Sequence, residues 1–206
     1  MPLPEAPAPS PVSDSVEYRF MPTTEDPDDP RCAELMASTD MREPVYDQVM
    51  LSTSLDAAWE EFLNSKTWSS WNRCFFWVHT QKLEKQRHLV WIFQPIRWWM
   101  LYKMPAMAKI VELDHGNGND HENGKGHGDQ QDSGHRRVTW TVTILPGFYA
   151  RHSYFMQEIG EGKVVFGSWE KAMGPSYRLL RRFWTAHFEF VCGESIAGAR
   201  KHLEGR

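Results

Sequence analysis

Residues 136–175 hold three segments of strand character in immediate succession: R-R-V-T-W-T-V-T-I-L-P, A-R-H-S-Y-F-M-Q-E-I-G-E-G and K-V-V-F-G-S-W-E-K-A-M-G-P. From Ser176 the chain then reads as one helix of about 28 residues, on the order of 40 Å long. Three strands in a row pair antiparallel, and a helix of that length must lie across the sheet they form. A curved sheet under a single long helix leaves an apolar hollow between the two layers. The pattern therefore points toward holding an oily molecule rather than toward visible chemistry.

Placed at 100° per residue, Leu180, Phe183, Trp184, His187 and Val191 form an apolar stripe on this helix, flanked by Phe188 and Phe190. Arg178, Arg181, Arg182 and Glu189 fall on the opposite, wet side. Two polar residues lie within or along the stripe, His187 and, two turns on, Glu194. A polar group buried without a partner is costly, so each needs a hydrogen bond, water or a ligand. His187 reads either as a hydrogen-bonded core histidine or as a group facing a guest. On the strands, Trp140, Val142 and Ile144 share one face, and Tyr154 and Met156 extend it on the next strand; a slip of one residue exchanges the faces.

The earlier part of the chain is consistent with such a body. Residues 1–43 are rich in Pro, Ser, Thr and acids, and are expected to be a disordered tail, with Phe20 and Met21 as its only docking candidates. The ordered part, residues 44–206, opens with a strand at V-Y-D-Q-V-M-L. Ser54 then caps a helix L-D-A-A-W-E-E-F-L-N, and a short helix T-W-S-S-W-N-R follows. Further strands are expected at F-F-W-V-H-T-Q-K-L, at H-L-V-W-I-F-Q-P and from about Ala108 to Leu113, after a loop or short strand carrying Trp98 and Trp99. Residues 115–135 are almost wholly polar and read as an expanded hairpin loop. His115, His121, His127 and His135 recur there beside acids, but no rigid spacing holds them in one geometry, so no metal site is assigned.

The formal charge of -4 is unevenly spread, with ten acids and three bases in residues 1–44. The remainder is too weakly basic for nucleic acid, and no basic stripe interleaves with its aromatics. Three widely spaced cysteines imply no disulfide framework. The N-terminus shows no secretory pattern, and the most apolar run, residues 89–102, is too short to span a bilayer. A cytoplasmic protein is expected, with no cofactor. Trp 10, Phe 11 and Tyr 6 make the chain aromatic-heavy, which suits both a packed core and a cavity for flat guests.

Trp59, Trp71, Asn72, Trp140, His152, Gly162, Trp169, Glu170 and Gly174, in the order strand, two helices, strands and long helix, resemble the START-like (SRPBCC) superfamily over residues 45–204. The likeness is best to its polyketide cyclase/dehydrase-like proteins. It implies an α+β helix-grip fold, also called Bet v 1-like: a curved antiparallel sheet wrapped around the C-terminal helix, with two short helices after the first strand. It leaves the ligand open. The first functional expectation is binding or transfer of a hydrophobic small molecule or lipid, with Trp140, Val142, Ile144, Tyr154, Met156, Phe183, Trp184, His187, Phe188 and Val191 as the lining. The second is a cyclase or dehydratase with His187 as general acid-base beside Tyr154 or Glu194. The third is an interaction module in which Trp98 and Trp99 make transient contact with a membrane. The sequence leaves the oligomeric state open.

Overall fold

The computed structural model describes residue 29 and residues 31–79, 82–95, 103–116 and 134–204. Residues 1–28, Trp98 and Trp99, and most of the 115–135 insertion with His121 and His127 lie outside the described residues.

Among the described residues, seven antiparallel strands form one sheet: β1 (Val45–Leu51), β2 (Phe75–His79), β3 (His88–Phe93), β4 (Met104–Asp114), β5 (His135–Val142), β6 (Tyr149–Gly160) and β7 (Lys163–Met173). Their spatial order is β1-β7-β6-β5-β4-β3-β2. β1 and β2 thus occupy opposite edges, and the chain between them carries α2 (Leu55–Leu63) and α3 (Trp68–Trp71) from one edge to the other. Ser54 caps α2 as expected, its Oγ accepting the Ala57 N–H at 3.3 Å. The long C-terminal segment closes the inner face of the sheet against β1 and β7.

Three expectations need correction. Residues 31–43 are not an extension of a disordered tail, because α1 (Arg31–Ala37) packs on the outer face of β6 and β7. Leu35 covers Tyr149 and Met173, Lys171 Nζ donates to the Met36 carbonyl at 3.0 Å, and the Tyr149 hydroxyl donates to Asp29. Of the helix itself Cys32 and Leu35 are buried, so composition gave little sign of it.

The C-terminal helix is also not continuous. α4 (Pro175–Leu179) and α5 (Arg181–Leu203) are separated by Leu180 at φ -111° and ψ 27°. In one straight helix Tyr177 and Phe188 would lie about 16 Å apart along the axis. Here their rings stack 6.4 Å apart, so the break folds Tyr177 into the core.

β4 starts earlier than expected, at Met104, and includes Pro105. Proline is tolerated because Val142, at the end of β5, pairs with Ala108; beyond it β4 has β3 alone as neighbour.

The space between sheet and helices divides in two. Under α2 and α3 it is packed solid by rings. Phe62 lies 5.2 Å from both Trp68 and Tyr154 and 5.7 Å from Phe166, while Trp140 lies 5.9 Å from Trp68 and 5.3 Å from Tyr154. Trp68 satisfies its buried indole N–H on the Phe62 carbonyl at 2.7 Å. At the boundary, Ser195 Oγ of α5 donates to the Val191 carbonyl (2.7 Å) and accepts from Asn72 Nδ2 (2.7 Å) and the Tyr154 hydroxyl (2.6 Å). Asn72 Oδ1 in turn accepts the Cys74 N–H at 3.0 Å. One hydroxyl therefore joins α5, the end of α3 and β6.

Two glycines away from this ring cluster, one on the outer face of the sheet and one on α5, predict opposite effects on stability. A Cβ at Gly167 of β7 would lie 2.1 Å from Phe155 Cζ, whereas one at Gly193 of α5 meets open space. Gly167→Ala is expected to destabilise the protein by about 1–3 kcal/mol through overpacking. Gly193→Ala is expected to stabilise it by about 0.5–1 kcal/mol through helix propensity. Urea denaturation of the two variants measures both.

Candidate functional site

Strand register decides which side chains face α5. Trp140 pairs with His152 and Val142 with Ala150, and β6 in turn sets His152 opposite Glu170 and Tyr154 opposite Ser168. Residues 150, 152, 154 and 156 of β6 consequently share the inner face with 166, 168, 170 and 172 of β7. Away from the ring cluster, this face borders a hollow. Phe75, Trp91 and Phe93 line it from β2 and β3, and Trp140, Val142 and Ile144 from β5 and the residues after it. Phe148, Ala150, His152 and Glu170 continue the wall, and His187, Phe188 and Val191 close it from α5. The centre of a water-sized sphere can move through about 30 Å³ of it, room for on the order of two waters. Counted to the surfaces of the lining atoms and out through its mouth, the empty space is about 440 Å³. The walls are thus drawn in close: the enclosed space is well below the ~150 Å³ that takes up a benzene ring, so a guest enters only by displacing the lining side chains.

His187 is one of three polar groups on this wall. Its Nδ1 bonds to the Pro95 carbonyl. A carbonyl only accepts, so Nδ1 carries the proton. Burial pushes the imidazole pKa below its ordinary 6.5, which keeps the ring neutral at physiological pH. Nε2 is left as a lone pair: His187 is an acceptor, or the base half of an acid-base step.

The other two form a pair. His152 Nδ1 lies 2.9 Å from Glu170 Oε2, and its Nε2 lies 3.1 Å from Ser168 Oγ, which is itself 3.2 Å from Cys192 Sγ. The single Ser168 proton serves either His152 or the sulfur. When it serves the sulfur, Nε2 must donate, and a second proton is held between Nδ1 and Glu170. Trp140 stacks on the His152 ring at 5.1 Å and 13°, which fixes its plane. Ser168, His152 and Glu170 have the connectivity of a nucleophile, base and carboxylate. Ser168 is, however, fully buried and does not line the hollow, so its hydroxyl does not meet a guest.

Six of the sequence-predicted lining residues meet at the hollow: Trp140, Val142, Ile144, His187, Phe188 and Val191. Tyr154 and Met156 are instead in the solid core, the former with its hydroxyl on Ser195. Trp184 packs on Phe148 at 4.6 Å, and Phe183 packs against the same core half-buried. Neither Tyr154 nor Glu194 lines the space beside His187, so the acid-base set expected from the helix stripe is not assembled. The His152–Glu170 pair was missed, although its signal was present: with Tyr154 facing inward, period two turns His152 and Ala150 inward as well. Phe75, Trp91 and Phe93 were missed because nothing local in sequence ties the far strands to α5.

No family model matches the chain, and no curated protein is detectably similar in sequence. Solved structures are. The di-domain ARO/CYC BexL from the BE-7585A biosynthetic pathway superposes with TM-score 0.58 at 11% identity, over 85% of this chain and 54% of that one. A START superfamily protein from Mycobacterium smegmatis gives 0.51 at 6% identity, over 78% and 99%. A point mutant of Thalictrum flavum norcoclaurine synthase, in complex with a transition-state analogue, gives 0.52 at 13% identity, over 78% and 93%. This is the helix-grip fold. Identities this low carry the helix-grip architecture and no residue's role. The chain spans about half of the di-domain protein. No described helix of this helix-grip structure is long and apolar enough to cross a membrane.

A buried neutral histidine leaves a signature in pH. As pH falls through 6.5 the unfolded chain binds a proton that folded His187, with its lowered pKa, does not, so stability present above that pH is lost below it. His135, whose pKa is also lowered, first by burial and then by Arg137, contributes with the same sign. His187→Asn keeps an N–H for the Pro95 carbonyl and removes the titration. Its melting temperature is expected to fall less steeply than that of the parent between pH 7.5 and 5.5. Equal slopes would contradict a neutral buried His187.

Proposed function

We propose that this chain binds a small, mostly apolar molecule that carries a hydroxyl or another hydrogen-bond donor. The observation that carries this reading is the make-up of the hollow's wall. Among the described residues, ten of its thirteen members are apolar or aromatic, and its polar groups are His152, Glu170 and His187. The His187 Nε2 lone pair then accepts from the guest, while Trp140, Phe93 and Phe188 enclose its body. Burying about 120 Å² of a single ring supplies ~3 kcal/mol, and one neutral hydrogen bond adds about 1 kcal/mol. That sum corresponds to a dissociation constant of order 1 mM for a one-ring probe. With about 30 Å³ enclosed, even one ring spreads the walls, and a larger natural guest gains more only by spreading them further.

A second reading, an acid-base catalyst of the cyclase or dehydratase kind, is favoured by one specific observation. A lone-pair base, His187, and a proton-holding pair, His152–Glu170, border the same water-poor space. In that reading His187 accepts a proton from the guest and the pair returns one.

Saturation-transfer NMR with phenol and toluene tests the binding reading. Phenol is expected to bind saturably near 1 mM, and toluene several-fold more weakly because it has no donor for His187. Val191→Phe and Ala150→Val, each checked for a cooperative melt, fill the hollow and are expected to abolish both signals. Phenol binding that survives both fillings would place the site elsewhere and overturn the assignment. For the catalytic reading, His187→Asn, which keeps an N–H for the Pro95 carbonyl and adds no bulk, is expected to retain toluene binding while removing any turnover found on a candidate substrate.

A further inference from the structure

We propose that the outer face of β2, β3 and β4 is a docking surface for an anionic lipid membrane. This inference is independent of what the hollow holds, since it concerns the opposite side of the sheet.

The register sets out the face. Trp77 pairs with Ile92 and Ile92 with Pro105, forming one row; His79 pairs with Val90 and Val90 with Met107, forming the next. Leu89, Trp91, Phe93, Ala106 and Ala108 are buried inward, so alternation turns these two rows outward. They are unusually apolar for a wet sheet face: Met107 is 56% exposed and Trp77 47%, and Phe76, in the bulge of the edge strand, is 41% exposed. Scattered apolar residues are ordinary on a surface; adjacent rows containing Trp, Ile, Val, Pro and Met form a patch. The other half of the outer face is different. Around β6 and β7 it carries Arg151 and Lys171 and is covered by α1.

Charge identifies the occupant. Residues 72–114, which run to the end of β4, hold seven Lys and Arg against three acids, Glu84, Glu112 and Asp114, in a chain whose net charge is -4. Glu84 is engaged by Lys82 at 3.3 Å and Arg87 at 2.6 Å, and Glu112 by Arg137 at 2.7 Å. Two of the basic groups border the patch: Lys103 sets its ammonium 4.1 Å over the Phe76 ring just before β4, and Lys109 lies two residues beyond Met107, at the middle of that strand. Tryptophan, phenylalanine and methionine bordered by lysine and arginine match a headgroup boundary, where rings and thioethers enter the acyl edge and ammonium groups meet phosphate and carboxylate. A nucleic acid would leave the aliphatic rows unsatisfied, because bases stack on rings and not on Ile, Val and Pro.

Co-sedimentation of the full chain with phosphatidylcholine vesicles, with and without 30% phosphatidylserine, tests this at 0.1 M and 0.5 M salt. Binding is expected to the anionic vesicles, at least tenfold weaker to the neutral ones, and at least tenfold weaker at the higher salt, where charge is screened over a few ångströms. Trp77→Ser combined with Met107→Ser is expected to lose at least tenfold, and Lys103→Glu combined with Lys109→Glu at least as much. Trp77, Lys103 and Met107 are exposed and Lys109 is half-buried, so the fold is expected to be retained, and melting checks this for each variant. Leu179→Ser, at an 83% exposed site in α4, serves as the control and is expected to change nothing. Failure to sediment with anionic vesicles overturns the proposal, as does binding unaffected by the Trp77 and Met107 substitutions. Two further outcomes also overturn it: tighter capture of single-stranded DNA than of vesicles, which marks a nucleic-acid face, and self-association removed by Trp77→Ser without vesicle binding, which marks a contact between copies of this chain.

Discussion

Ser195 Oγ, a single buried hydroxyl on α5, sets the distance between the helix and everything it covers. It is held by Asn72 at the end of α3, by Tyr154 of β6 and by its own helix at Val191. A buried donor or acceptor left without a partner costs about 1–3 kcal/mol, and here three polar groups share one oxygen. Next to it Gly198 brings α5 so near α3 that a Cβ would lie 2.0 Å from the Trp71 carbonyl oxygen. These contacts pin the second half of α5 hard against the solid, ring-filled side of the interior. The first half, carrying His187 and Phe188, spans the side where the far strands stand, and the hollow lies there.

Chemistry at the hollow follows from that division. A histidine turned away from water, with one nitrogen committed to a carbonyl, offers a fixed lone pair and little tendency to charge. Opposite it, His152 and Glu170 hold protons between themselves and Ser168. Among the described residues the wall is otherwise hydrocarbon and indole, so His152, Glu170 and His187 are its polar groups. The two proposed readings, binding and acid-base catalysis, would use the same atoms and differ in whether the guest carries a bond that those atoms can break.

The strands and the helical stripe were legible because their periodicity is local: alternation gave the inner faces of β5 and β6, and spacing of three and four gave Trp184, His187, Phe188 and Val191. Trp140, Val142 and Ile144 could be placed at the hollow for the same reason. Tyr154 and Met156 were on the correct face but at the wrong end of it, because nothing in their own strand tells how far α2 and α3 reach across the sheet. The His152–Glu170 pair depends on the register between two strands, a relation that no single segment displays. The break at Leu180 was hidden too: no residue there forbids a helix, and the gain from folding Tyr177 onto Phe188 is tertiary. α1 was hidden by its short length and by the acidic, proline-rich chain around it.

The two faces of the sheet thus differ, with a narrow oily interior on one side and an exposed aromatic and aliphatic surface bordered by lysines on the other. Whether a guest enters between β5, β6 and α5 is decided most directly by diffraction at the bromine edge from crystals soaked in 4-bromophenol. A bromine peak is expected inside the hollow, with the phenol oxygen within hydrogen-bonding reach of His187 Nε2. Bromine found only on the surface, with Trp140, Phe93 and Phe188 closed on one another at saturating probe, would contradict it.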